Sequence, residues 1–269
     1  MSYSLLLTTV VIILILLYIL FKLYEINKSI TNTNKSSLVS IKTSTIEYEE
    51  QHIPKIIIQT WKTNTIPQRY MQLIESIKQY NPDYQYIFFT DDDIEDFLKT
   101  NYPEYYRTYL NLPITIQRID FFRYIAVYHF GGFYMDLDML CLKSFDSLLK
   151  HKCVFPVDEF ITENLCHYRR YRGFCQKENY FLLGQYAFAA APRHPFIKRL
   201  IDYIHKNINY YIKYVNYDSE DYVYKTTGPD FVTNLYIDDD DKDNIIILNN
   251  GKRQFFGDYA KHNYFGTWK

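Results

Sequence analysis

The chain has 269 residues, with Lys+Arg 30 against Asp+Glu 31 and a formal net charge of -1. That length allows one large core, or a domain with appendages. The balanced charge removes the basic surface expected of a nucleic-acid-binding protein, so nucleic acid is not an expected partner.

The chain opens with a four-residue tail and then "LLLTTVVIILILLYILF", residues 5–21, an uncharged apolar run followed by Lys22. Its length suits a transmembrane anchor whose flanking lysine snorkels to the interface. A cleaved signal peptide would need a shorter apolar core and a small-residue cleavage site, and "KLYEINKSI" offers none. Residues 22–50 are rich in Ser, Thr and Asn and lack apolar periodicity, as in a flexible solvated stem. The stem carries sequons at Asn27 and Asn34, which matter only in a secretory lumen. Lys22, Lys28 and Lys35 follow the span, and the positive-inside rule then places the C-terminal part in the cytoplasm. The four cysteines, Cys141, Cys153, Cys166 and Cys175, have no C-x-x-C spacing for zinc; one or two disulfides or free buried thiols are the open readings.

Residues 51–269 alternate between strand and helix signals. "KIIIQTW" reads as a strand, "PQRYMQLIESIKQY" as a helix with Pro67 in its first turn, and "YQYIFFT" as a second strand. Asp91, Asp92 and Asp93 open a helix whose positive end they suit, a structural role rather than a catalytic one. "PITIQRIDFFRYIAVYHFGG" is a helix stopped by Gly131. Next comes the strand ending in Asp136 and Asp138. "YFLLGQYAFAAAPRHPF" reads as a strand pair or one long strand, followed by a helix with Pro195 in its first turn. "TTGPDFVTNLYI" is a turn and helix, "DDDDKDN" a solvated acidic turn, and "NIIILNN" the last strand. The pattern is α/β with a largely parallel sheet, in which ligands bind at the carboxyl ends of strands.

Asp136 and Asp138 are two positions apart, so on an extended chain both carboxylates face one side. Two buried like charges need neutralising, and a divalent cation such as Mg²⁺ or Mn²⁺ does so with carboxylate and phosphate oxygens. Back from Gly131 to Asp120 is roughly 16 Å of helix, and forward to Asp136 roughly 16 Å of strand. Antiparallel packing across the Gly131–Gly132 reversal would therefore bring Asp120 and Arg123 beside the two acids. Asp120 and Arg123 share one face of a helix that is otherwise Ile, Phe, Tyr, Val and Ala, as befits a buried pair.

"IPKIIIQTWK", "RIDFFRYIAVYHFGGFYMDLDM", "TTGP" and a C-terminal His with a final Trp resemble the DXD-containing glycosyltransferases of family 32. That family includes initiating and inositol-phosphoceramide mannosyltransferases, and the sugar-transferring domains of large clostridial toxins share its core pattern. The resemblance implies a GT-A type, Rossmann-like nucleotide-sugar-binding fold over residues 51–269, behind the membrane anchor. It implies a GDP- or UDP-sugar donor, a Mn²⁺ or Mg²⁺ ion, a glycan, lipid or protein acceptor, and retention of anomeric configuration. Asp136 and Asp138 match the D-x-D that holds metal and diphosphate, and Asp120 and Arg123 the D-x-x-R that contacts the donor sugar. Tyr134 matches the aromatic near the nucleotide, and Trp61 a tryptophan that stacks on a base, although a core role suits Trp61 equally. His262, Thr267 and Trp268 match a tail that closes over metal and phosphate, with Thr267 in place of a serine. His194 has a family counterpart but reads as structural. The resemblance also implies a type II topology with the catalytic part in a secretory lumen, against the lysine count.

Two other classes compete. A D-x-D phosphohydrolase would carry Thr or Val where Leu140 stands, and would place the motif on its first strand. A membrane-anchored carbohydrate-binding or scaffold protein with an inactive transferase fold is the non-enzymatic alternative.

Overall fold

The computed structural model describes residues 22, 51–217, 219–249 and 255–266. The anchor at residues 5–21, the stem beyond Lys22, and Thr267 and Trp268 lie outside the described residues. Among the described residues, no helix is long and apolar enough to cross a membrane.

The first half follows the sequence pattern, with one further helix, at Pro103–Asn111, that the pattern did not signal. β1 (Ile56–Thr60), α1 (Gln68–Tyr80), β2 (Gln85–Phe89), α2 (Asp91–Asn101), α3 (Pro103–Asn111) and α4 (Thr115–Phe130) lead into β3 (Gly132–Met135). α2 starts at a capping box in which Thr90 and Asp93 each satisfy the other's main-chain N–H. α4 has Phe121, Phe122, Tyr124, Ile125, Ala126 and Val127 wholly buried, so it is apolar nearly all round and runs through the core. It reverses into β3 at Gly131 and Gly132, with φ of +67° and +86°. A Cβ on Gly132 would stand 2.4 Å from the Ile56 carbonyl oxygen, so only glycine fits there.

The second half runs β4 (Met139–Cys141), β5 (Cys153–Phe160), α5 (Arg172–Gln176), β6 (Phe181–Leu183), β7 (Ala187–Ala190), α6 (Pro195–Lys213), α7 (Glu220–Thr226), α8 (Pro229–Ile237), β8 (Ile245–Leu248), β9 (Phe255–Phe256) and β10 (Ala260–His262). The main sheet has the order β2-β1-β3-β7-β5-β6, with β8 also on β5. β1 is parallel to β2 and β3, and β8 to β5, but β7 runs antiparallel to both β3 and β5. The expectation of a largely parallel sheet is thus corrected to a mixed one. Between β5 and β6 stands only a five-residue α-helix, Arg172–Gln176, too short for the crossover that parallel neighbours need, and the chain returns antiparallel. β6 and β7 both lie antiparallel along β5, interrupted at residues 184–186. α6 is amphipathic, burying Phe196, Ile197, Leu200, Ile201 and Ile204. His194 caps it, accepting from the Phe196 N–H, which is the structural role expected of it.

A second, three-stranded sheet of order β4-β10-β9 is antiparallel. The sequence signalled no strand at β10, yet its register sets His262 opposite Met139, beside the D-x-D.

Candidate active site

Four elements converge on one cleft of about 860 Å³. Its walls include Asp120 and Arg123 from α4, Tyr134 from β3, Asp136 and Asp138 from the turn after β3, and His262 from β10.

Asp136 and Asp138 do not sit on an extended strand as the pattern predicted. β3 ends at Met135, and a turn closed by the Met139 N–H on the Asp136 carbonyl (3.2 Å) carries both acids. Curvature rather than pleat alternation therefore aims the carboxylates together. Gln59, wholly buried on β1, holds this turn by donating to the carbonyls of Met135 and Asp136, both at 3.2 Å. The Tyr86 hydroxyl donates to Gln59 in turn at 2.7 Å. The Asp136 N–H donates to the Tyr186 carbonyl at 2.7 Å, where the β6–β7 line is interrupted.

Arg123 is 2% exposed and bridges the helix to the turn. Its Nη2 lies 3.2 Å from Asp120 and 3.4 Å from Asp136, its Nη1 donates to the Gln185 carbonyl at 3.0 Å, and it sits 4.6 Å from the Tyr134 ring centre. Burial opposes its charge, but the carboxylates of Asp136 and Asp120 hold it protonated. Asp120 is wholly buried, accepting from Thr227 at 2.7 Å and Gln185 at 3.2 Å. Burial pushes its carboxyl up to about 6, against the pull of Arg123. Burial also raises Asp136, which accepts from the Tyr134 hydroxyl at 2.9 Å.

Asp138 behaves oppositely. Burial works to raise it, but His262 at 3.1 Å and the Phe265 N–H at 3.0 Å hold it below its ordinary value. Asn263 ties the tail to the Asp138 carbonyl through both its main-chain N–H and its side-chain amide. His262 stacks on Tyr186 at 4.4 Å, and its Nδ1 is buried with no hydrogen-bond partner among the described residues. One ligand atom from each of Asp136, Asp138 and His262 lies within 4.8 Å of the others. Two carboxylates and an imidazole fit Mn²⁺ or Mg²⁺, with His262 Nε2 facing Asp138 at 3.1 Å.

Trp61 lines the same cleft, half-buried and tilted against Tyr70 at 5.0 Å. The structure thus brings together every described candidate: Asp120, Arg123, Tyr134, Asp136, Asp138, His262 and Trp61. It adds Gln59, Gln185, Thr227 and Asp158, which the sequence reading did not single out. A signal existed for Gln59, a polar residue at the end of an apolar strand, and for Thr227 within "TTGP". The cysteines divide into the Cys166–Cys175 disulfide and the free, buried Cys141 and Cys153.

Residues 67–155 match the model of the glycosyltransferase sugar-binding region containing the DXD motif. Inositol phosphoceramide mannosyltransferase 1 of Schizosaccharomyces pombe is 33% identical over 190 residues, covering 69% of this chain and 51% of that protein. Inositol phosphoceramide mannosyltransferase 3 of the same yeast is 42% identical over 99 residues, covering 37% of this chain and 28% of that protein. The chain therefore spans about half or less of the length of these relatives. Among solved structures, the PaToxG glycosyltransferase shares the fold with a TM-score of 0.50 at 19% identity, covering 69% of each chain. With the D-x-D on its turn and the helix before it built as described, residues 67–155 form a sugar-binding region of the DXD-containing glycosyltransferase family.

Proposed function

We propose that this chain is a metal-dependent, retaining hexosyltransferase of the GT-A type. It moves mannose or a similar hexose from a GDP- or UDP-sugar to a hydroxyl of a glycan, lipid or protein. The observation that carries this reading is the convergence of Asp136, Asp138 and His262 within 4.8 Å, with Arg123 reaching Asp136 from the helix behind.

Asp136, Asp138 and His262 would hold a Mn²⁺ or Mg²⁺ ion, which when bound neutralises the charge of the donor diphosphate. Arg123 supplies fixed positive charge beside the place where the leaving diphosphate gains negative charge. Its orientation is set by Asp120, Asp136 and the Gln185 carbonyl, so little reorganisation is needed. Asp120, fixed by Thr227 and Gln185, places negative charge where the anomeric carbon gains oxocarbenium character. Tyr134 orients Asp136, and the Trp61 indole offers a face for the base. Thr267 and Trp268 would close the tail over the phosphates. The acceptor hydroxyl attacks on the same face as the leaving phosphate, giving retention.

We also place the catalytic part in a secretory lumen behind a single-pass anchor at residues 5–21. The Cys166–Cys175 disulfide supports an oxidising compartment.

The test is a panel of nucleotide sugars incubated with the full-length protein and Mn²⁺, scored by release of nucleoside diphosphate. Release from at least one donor, stopped by chelator, is the expected result. A folded protein that releases nothing from any donor would overturn the reading.

A further inference from the structure

The outer face of α6 is aromatic and cationic, and it stands exposed. Tyr203, Lys206, Tyr210 and Lys213 recur at steps of three and four, so they share one side of the helix. All four are exposed, while Phe196, Ile197, Leu200, Ile201 and Ile204 are buried on the other side. Tyr214, just past the helix end, lies against Tyr210 at 4.7 Å, and Lys213 sits 5.0 Å from its ring centre. Tyr203, Tyr210, Tyr214 and Tyr217 are 44, 60, 52 and 70% exposed. Together with Ile212 they concentrate in residues 203–217, whereas the other exposed large apolar or aromatic side chains are scattered over the described residues. A concentration of this kind marks an interaction surface.

The charges around the face say what it meets. Residues 203–217 contain no Asp or Glu, and acids resume only at Asp218. Asp202, just before them, is paired with Lys198 at 2.6 Å, and Asp221, beyond them, with Lys225 at 3.0 Å. Lys206 and Lys213 have no carboxylate within ion-pair distance among the described residues. Aromatic rings with unpaired lysines are complementary to a surface that is apolar below and negative above. Tyrosine rings settle at the head-group level of a bilayer, and lysines beside them reach the lipid phosphates while their stems stay along the rings. A second copy docked on the same face would instead bring lysine against lysine with no carboxylate between them.

The face ends beside the cleft. The Tyr222 hydroxyl on α7 donates to the Tyr211 carbonyl at 2.7 Å, and Val223 and Tyr224 of α7 line the cleft. A bilayer is also within reach. Residues 22–50, read as a flexible stem, span roughly 30 Å from the anchor. α6 itself is about 28 Å long. A face held so close needs little affinity of its own, because the tether keeps the local lipid concentration high.

We infer that the outer face of α6, from Tyr203 to Tyr217, docks on an anionic phospholipid surface, a second membrane contact besides the anchor. The helix lies on the bilayer and does not cross it, since no described helix is long and apolar enough to span one. Its tyrosine rings sit among the head groups, Lys206 and Lys213 meet lipid phosphates, and the α7 edge of the cleft turns toward the lipid. The tether rests on the anchor proposed above; the face does not. It works the same on either side of the membrane.

Docking can be read by fluorescence on the full-length protein in vesicles, with no sugar donor present. Asn209→Cys puts a polarity-sensitive label on the exposed surface between the two lysines. Cys141 and Cys153 are buried and Cys166 is linked to Cys175, so only the introduced thiol reacts. The vesicles are phosphatidylcholine with or without phosphatidylglycerol, their acyl chains brominated as quencher. The label should be quenched in the phosphatidylglycerol vesicles, and a label introduced by Thr100→Cys, exposed on α2, should not. Lys206→Gln with Lys213→Gln should lower the docked-to-undocked ratio on the order of tenfold, and high salt should act alike. Tyr210→Ser with Tyr214→Ser should lower it too, and cooperative melting checks that each variant is folded. Quenching that is absent, equal at both labels, or unchanged in the two double variants would overturn the inference. Shielding of the label that needs no lipid and grows with protein concentration in detergent would assign the face to contact between copies of the chain, and would overturn it as well. Resistance to carbonate extraction scores the anchor and nucleoside diphosphate release scores the transferase reading, so the failure of either is distinct from a loss of docking.

Discussion

The Gln59 side-chain amide donates to the main-chain carbonyl of Asp136 at 3.2 Å, from a strand position with no exposed surface. The first acid of the D-x-D is therefore held by a wholly buried residue of the neighbouring strand. Replacing Gln59 with Leu would strip the carbonyls of Met135 and Asp136 of this donor and the Tyr86 hydroxyl of its acceptor. Each buried polar group left unpaired costs about 1–3 kcal/mol. Gln59→Leu should lower the urea midpoint and also weaken the metal dependence of turnover. An unchanged midpoint with unchanged metal titration would show that the turn holds itself.

The relation between helix and turn was legible before the structure because it depends only on rises per residue and on a glycine pair. The six-residue core of α4 and the φ values at Gly131 and Gly132 realise that arithmetic. The sheet direction was not legible, because β3, β7 and β5 meet through contacts remote in sequence. Nor was the turn at the D-x-D. The two-residue spacing looks the same on a pleated strand and on a tight bend, and only the Gln59 and Tyr186 contacts decide between them. Gln185 and Asp158 gave no signal, since neither sits in a run whose period singles it out.

Removal of the metal site is the most direct chemical test. Asp136→Ala and Asp138→Ala should each lower nucleoside diphosphate release by on the order of a hundred- to a thousandfold, the range for losing a preorganised electrostatic stabiliser. Melting should stay cooperative, because the site adds charge to a cleft wall rather than packing to the core. Chelator should act on the native protein alike, and Mn²⁺ should restore it. Full turnover in chelator would remove the metal from the mechanism.

Arg123→Lys keeps a positive charge but loses the planar fork. One guanidinium now serves Asp120, Asp136 and the Gln185 carbonyl. A lysine ammonium has no second nitrogen to span them. Turnover should fall by at least about tenfold, with the change in kcat exceeding that in the donor KM. Native kinetics in the lysine variant would reduce Arg123 to a charge without a geometry.

Asp120 makes a pH prediction with two signs. Its role requires the carboxylate, and burial lifts its pKa to about 6. Turnover should therefore rise between pH 5 and pH 7 as the group ionises. Stability goes the other way. A carboxyl whose folded pKa exceeds its unfolded value of about 3.9 binds its proton more tightly when folded. That contribution is fully present at acid pH and is lost as pH rises through about 6. Comparing native protein with Asp120→Asn by urea unfolding across pH 4–7 should show the native stability falling relative to the variant. A flat difference would place the Asp120 pKa near its ordinary value.

Topology is the last expectation to test, and two chemical facts bear on it. The lysines after residues 5–21 favour a cytoplasmic C-terminal part, but three lysines spread over residues 22–35 are a weak bias. A disulfide between Cys166 and Cys175 is out of place in a reducing cytosol and ordinary in a lumen. Closing so short a loop is worth about 2–3 kcal/mol in the chain-entropy account, and the loop it closes carries Arg170 into the cleft wall. The lumenal arrangement thus ties compartment to site geometry. In a eukaryotic cell the full chain should gain an endoglycosidase-sensitive mass, abolished by Asn34→Gln. Peptide mapping without reductant should recover Cys166 and Cys175 linked. Digestion of the C-terminal part by protease added outside sealed microsomes, with both cysteines reduced, would place the catalytic part in the cytosol instead.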